Sequence, residues 1–258
     1  MKKALLIMAV LIMAMVQPRL AAATPADPDQ GASLSTMNVA ELEARGDSLR
    51  AQKDFLEAIR CYKEAVKREP KNAGIYNKMG IAELRQNHYP LAETYFKKAI
   101  KYNNQDAHAM NNLGVVYFSR KNYGSAVKYY KKALAIEEGN ATYHSNLGTA
   151  WFSQKEYDRA TAEYSRALEI DPLVFVKQSQ AGSIAHVANS EDRANFEFVL
   201  AKLFAQRGDW DACFHWLQKA KEDGYNKMKD VYKAPEFAKV LQDPRLAQIV
   251  PPPAQAGF

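Results

Sequence analysis

The sequence predicts an all-α protein built from stacked helical hairpins, on three observations. The first is a set of residues that recurs every 34 positions. Leu147-Gly148, Tyr157, Ala160, Tyr164 and Ala167 are repeated as Leu113-Gly114, Tyr123, Ala126, Tyr130 and Ala133. One shift earlier come Met79-Gly80, Tyr89, Ala92, Phe96 and Ala99, and another gives Gly46, Phe55, Ala58, Tyr62 and Ala65. The second observation is composition: with 12 Gly and 11 Pro among 258 residues, and mixed charge, the chain suits a mainly helical protein. The third is the placing of Gly46, Gly80, Gly114 and Gly148 in mid-helix. Glycine there costs up to about 1 kcal/mol against alanine. Four repetitions of a costly residue need a reason, and a close approach between two helices beside Ala58, Ala92, Ala126 and Ala160 supplies one.

The N-terminus reads differently from the rest. Lys2 and Lys3 precede an unbroken apolar run from Ala4 to Val16, and Ala21-Ala22-Ala23 offer small residues for cleavage. This predicts an export signal over residues 1–23, cut near Ala23. The run is too short for a bilayer core of about 30 Å, and no cysteine follows it for lipid attachment. Export predicts a periplasmic or secreted protein. Removing Lys2, Lys3 and Arg19, with no acidic residue lost, lowers the formal charge from +6 to +3. That excess is too small to argue for nucleic acid. Residues 24–38, with Pro25, Pro28 and Gly31, form a flexible lead-in. Asn38 and Glu41 then make a capping box that starts the first helix.

Four hairpins follow at 39–72, 73–106, 107–140 and 141–172. In each, a first helix is joined by a short turn to a second that opens on Phe55, Tyr89, Tyr123 or Tyr157, with Tyr62, Phe96, Tyr130 and Tyr164 packing between neighbouring hairpins. Pro90 fits the first turn of its helix without losing a hydrogen bond. Arg45 stands where later copies carry Leu113 and Leu147, as suits a terminal repeat with one face in water. Glu83 replaces the aromatic seen at Tyr117 and Trp151, predicting looser packing of the second hairpin.

These offsets resemble the tetratricopeptide (TPR) repeat. The resemblance covers residues 39–172 and implies a right-handed superhelical α-solenoid with a helical C-terminal cap. After Pro172 the register fails, and residues 173–190 are expected to form an irregular connection, with room for a short helix. Spacing returns at 191–223: Leu200-Ala201, Phe204, Trp210, Cys213, Leu217 and Ala220 take the places of the repeat residues, so a fifth, degenerate hairpin is expected. Residues 224–258 resemble the closing segment of bacterial TPR proteins, a cap and tail. Cys61 and Cys213 belong to the first and last hairpins, tens of Å apart, beyond the roughly 7 Å Cα limit of a disulfide. Both are expected to be unpaired.

No catalytic or metal-binding pattern is present: there is no Gly-rich phosphate loop, Cys-x-x-Cys, His-Glu-x-x-His or Gly-x-Ser-x-Gly. His144 sits at a core-directed position and is read as a packed histidine. No catalytic residue, metal or cofactor is nominated. What the resemblance does imply is a concave groove lined by the first helices, with Asn77, Lys78, Asn111, Asn112 and Asn146 pointing into it, and with His108 and Arg85 beside it. Asparagine both donates to and accepts from a peptide backbone, so such a row can hold an extended segment without reading its sequence. The family's carboxylate clamp needs Lys and Asn where this chain has Glu43 and Asp47, so that mode is disfavoured. The function expected is a non-catalytic protein-interaction scaffold of the cell envelope. It takes a protein or peptide partner, no nucleic acid and no small-molecule substrate, and meets membrane only through partners. The alternative is a structural subunit of an envelope assembly (outer-membrane, secretion or pilus machinery) that uses its convex face or ends.

Overall fold

A computed structural model describes residues 33–180 and 190–252. The expected export signal, residues 24–32 of the lead-in and the middle of the 173–190 connection lie outside the described residues. Residues 33–37 form a turn closed by the Thr36 N–H donating to the Ser33 carbonyl at 2.9 Å. The rest is one compact unit from Asn38 onward, and among the described residues it holds no strand.

Eight helices run in pairs: α1 (Val39–Ala51) with α2 (Phe55–Arg68), α3 (Ala73–Arg85) with α4 (Tyr89–Tyr102), α5 (Ala107–Ser119) with α6 (Tyr123–Leu134), and α7 (Ala141–Ser153) with α8 (Tyr157–Ile170). Local chemistry sets their ends. Asn38, Asn72, Asp106 and Asn140 cap the first helix of each pair, each side chain accepting from a first-turn N–H, a service worth about 1 kcal/mol. The Asn38–Glu41 capping box is present in both directions, at 2.8 and 2.9 Å. Each turn then reverses on a residue in the left-handed region: Lys53, Asn87, Lys121 and Lys155, with φ between 59° and 66°. Three of these are lysine, where a side chain costs roughly 1–2 kcal/mol that glycine would not.

The glycines have a more specific partner than the small-residue contact expected from sequence. A Cβ on Gly46, Gly80, Gly114 or Gly148 would lie 2.5–2.6 Å from the ring of Tyr62, Phe96, Tyr130 or Tyr164, respectively. Each ring is buried and lies flat on the glycine of its own hairpin. The aromatic row therefore fills the inside of each pair, and is not confined to the space between pairs. Glu83 is buried rather than a gap in the packing, with an oxygen 2.9 Å from His88 Nδ1.

Beyond the fourth pair, α9 (Val174–Gln180) occupies the start of the stretch expected to be irregular. Asp171 accepts from the Leu173 N–H, and Val174 and Phe175 are buried; the helix turns Phe175 onto Tyr164 and Phe196 and brings Val174 into the same core. Then α10 (Ser190–Arg207) and α11 (Trp210–Glu222) make another hairpin. Its turn uses Gly208 at φ 75°, at the place Lys155 holds in the fourth pair. Two 3-10 helices, Met228–Tyr232 and Pro235–Val240, and α12 (Pro244–Ile249) fold back on it. Val231, Phe237, Val240, Leu246 and Ile249 join one core with the fourth pair, α9, α10 and α11. Cys61 and Cys213 are buried free thiols, and burial pushes the Cys213 thiol up to about 12.

Candidate partner-binding groove

The first helices of neighbouring pairs touch one another, α3 with α5 and α5 with α7. They therefore line the shorter, inner radius of the stack, and the second helices lie outside. Along this inner face, residues 35 apart bond across the junctions. Lys78 Nζ donates to Glu43 at 2.6 Å, Asn112 Nδ2 to Asn77 Oδ1 at 3.1 Å, and Asn146 Nδ2 to Asn111 Oδ1 at 2.9 Å. The Tyr143 hydroxyl meets His108 Nδ1 at 2.6 Å. Burial and the nearby Glu137 carboxylate raise the Tyr143 phenol well above its usual range, so it stays protonated. A one-residue advance over the 34-residue repeat is what a side chain needs to reach its neighbour's helix rather than stand beside its own equivalent.

This ladder redistributes the residues nominated from sequence. Asn111 is 7% exposed, its carbonyl is spent on Asn146, and it does not line open space. Lys78 is held by Glu43 and Asp47 in a cluster with Tyr62, whose hydroxyl donates to Asp47 at 2.8 Å, and Arg50, 3.4 Å from Asp47. Burial opposes ionisation of Asp47, but hydrogen bonds from Lys78 and Tyr62 and the nearby charges hold its carboxyl below the usual range. The cluster is internally neutral: two carboxylates, one ammonium and one guanidinium. His108 is exposed but bonded to Tyr143.

What remains is a groove of about 570 Å³. Arg85, Asn112 and Asn146 of the nominated set line it; Asn77, Lys78, His108 and Asn111 do not. Sequence reasoning missed Arg50, Asn87, Tyr89, Ser119 and Thr142, together with the apolar floor of Ile81, Leu84 and Val115. The signal for Arg50 was available, since Arg50 and Arg85 stand 35 apart, the same interval as the ladder. Arg85 is exposed and makes no ion pair among the described residues, and Arg50 Nε is buried without a partner. Helices α5 and α7 contain no Asp, Glu, Lys or Arg. One end of the groove thus presents two guanidinium groups and the other is uncharged, with amides and hydroxyls above an aliphatic floor. Asn112 and Asn146, the donors of these pairs, each keep one side-chain N–H and a carbonyl that the ladder does not use.

His144 is 8% exposed, with Nε2 2.9 Å from the Glu138 carbonyl and Nδ1 2.7 Å from Glu163. It is a fully bonded core residue. Among the described residues no group of His, Cys, Asp and Glu could hold a metal ion, and no helix is long and apolar enough to cross a membrane.

Three family models described as tetratricopeptide or TPR repeats match residues 46–87, 77–141 and 117–174, together half of the chain. Among solved structures, the chain is similar to the MamA protein, at 22% identity and a TM-score of 0.51 over 76% of this chain and 95% of that one. It is similar to MamA from Desulfovibrio magneticus RS-1 at 19% identity and 0.52, over 71% and 93%. YrrB, described as a TPR protein with an unusual peptide-binding site, matches at 16% and 0.50, over 76% and 91%. At these identities the likeness is one of fold. No curated protein matches the chain.

Proposed function

The chain belongs to the tetratricopeptide-repeat family, and from that premise we propose that it is a non-catalytic scaffold which holds an extended segment of a protein partner in its inner groove. The observation that carries this is the groove itself: amide and hydroxyl groups of Asn112, Asn146, Ser119 and Thr142 above Ile81, Leu84 and Val115. An extended backbone offers a donor and an acceptor at each residue, which such a wall can meet. Arg85, exposed and without an ion pair among the described residues, would attract a carboxylate at one end and so set the segment's direction. A peptide-binding site in YrrB is consistent with this use of the fold.

We place this work in the cell envelope, on the strength of Lys2, Lys3 and the apolar run from Ala4 to Val16. The ligand is read as protein or peptide rather than nucleic acid or a small-molecule substrate, because amides and hydroxyls above an aliphatic floor suit a peptide backbone, and α5 and α7 bring no Asp, Glu, Lys or Arg to the groove. Membrane contact then comes only through the partner. One experiment tests the reading. The mature chain and an Arg85→Ala/Asn112→Ala/Asn146→Ala variant are each used to capture partners from separated envelope and cytosolic fractions. A partner taken from the envelope by the first and lost by the second is the expected result. The same partner retained by both removes the groove from the function, and capture from cytosol alone removes the envelope.

A further inference from the structure

The outer face of the stack carries a second feature that the groove does not use. Helix α6 holds Lys128, Lys131 and Lys132 and no carboxylate, and α4 holds Lys97, Lys98 and Lys101 with Glu93 alone to balance them. Glu93 is already committed: it pairs with Lys97 and Arg120, both at 2.6 Å, and accepts from the Tyr117 hydroxyl at 2.9 Å. Five exposed lysines on two adjacent outer helices are therefore left without a carboxylate partner among the described residues. Four of them rest on rings instead: Lys98 on Tyr76 at 5.2 Å, Lys101 on Tyr102 at 5.9 Å, Lys131 on Trp151 at 5.2 Å and Lys132 on Tyr129 at 5.3 Å. A ring attracts the ammonium but does not neutralise it, so the charge stays available.

We infer that the outer surface of α4 and α6 is a docking site for an acidic segment of a protein partner. Its bounds favour that occupant. On one side, α2 carries Arg60, Lys63, Lys67 and Arg68 against Glu57 and Glu64; its two carboxylates pair with Arg60, Lys67 and Arg68. On the other, α8 brings Asp158, Glu163 and Glu169. The unpaired lysines are concentrated on α4 and α6, five of them, with Lys63 left over on α2, a cluster on the scale of one helix or one extended segment. All the cations are lysines, which act as point charges without the planar fork suited to phosphate. The rings are covered by lysine stems, which leaves them unavailable for stacking on bases. The face is convex, and Leu91 is its one exposed large apolar side chain among the described residues, too little to enter a bilayer. The inference does not rest on the groove.

The test uses the full mature chain and a labelled poly-glutamate peptide, with duplex DNA and phosphatidylglycerol vesicles as parallel probes at low and high salt. Three variants are compared: Lys98→Glu/Lys128→Glu/Lys132→Glu, the same three changed to Arg, and the groove variant above. All three lysines are exposed, and unchanged helical circular dichroism and melting establish that the variants fold. Because exposed pairs are individually weak, three reversals together should weaken poly-glutamate binding about tenfold or more. High salt should weaken binding to the unmodified chain too, while the Arg and groove variants should bind as it does. Binding indifferent to charge reversal would overturn the inference. So would tighter binding of DNA or of the vesicles than of poly-glutamate, which would make the patch a nucleic-acid or membrane surface.

Discussion

Glu197 shows how far one residue's environment can depart from what its neighbours in sequence suggest. It lies on α10 among Phe196, Phe198 and Leu200, is 3% exposed, and has a buried Oε2 without a hydrogen-bond partner. Burial first, and then the negative charge of Asp223, raise its carboxyl from 4.5 to about 7. The unfolded chain therefore releases this proton near pH 4.5, and the folded chain holds it until about 7. Between those values the folded state binds more protons, so Glu197 favours folding fully below 4.5 and loses that contribution as pH rises through 7. The loss is on the order of 2–3 kcal/mol. Replacing Glu197 by Gln keeps the shape without the charge. Its melting temperature should match the unmodified protein near pH 4 and exceed it above pH 7. A gain of equal size at both pH values would mean that the carboxyl is not the titrating group.

At the scale of elements, the hairpins were legible because the 34-residue period repeats four times with large and small residues in fixed places. The bonds between hairpins were not. They connect residues 35 apart, and nothing in the types of Asn77, Asn111, Asn112 and Asn146 tells whether an amide faces a ligand or another amide. That depends on the offset between stacked helices, which packing sets. The consequence is that two adjacent asparagines have different work. Asn111 is buried and accepts from Asn146, whereas Asn112 is partly exposed and reaches the groove. Asn111→Ala removes a buried side chain and the acceptor of the half-buried Asn146 amide, and should cost on the order of 1–3 kcal/mol in denaturant unfolding. Asn112→Ala should cost clearly less and act on ligand capture instead. Equal losses from the two would dissolve the distinction between stitching and binding. Lys78 belongs with Asn111: a lysine on an inner helix reads as a ligand contact until Glu43 and Asp47 are found around it.

For the whole molecule, the decisive asymmetry lies between the two ends of the stack. A solenoid end must be polar outward or be covered, and the chain solves this differently at each terminus. The first pair carries Arg45 where Leu113 and Leu147 stand in later copies. The fourth pair ends on Tyr164, whose ring lies 5.5 Å from Phe175 and 5.3 Å from Phe196, while Phe152 lies 6.0 Å from Phe196. These belong to one continuous core that runs from the fourth pair through α9, α10 and α11 to Val250. The period-based reading found the fifth hairpin and the cap, but the loss of register after Pro172 hid α9, whose Phe175 joins Tyr164 to Phe196. Removing residues 173–258 would expose Phe152, Tyr164 and Leu168, at roughly 1.5–3 kcal/mol each. Removing the first pair instead uncovers the side of α3 on which α2 packs. The chain ended at Pro172 should therefore melt well below the chain begun at Ala73 and self-associate in sedimentation velocity, since its uncovered rings remain apolar. If the N-terminal deletion proves the more damaging, the stack is held by its repeats alone and the shared C-terminal core is an ornament to it.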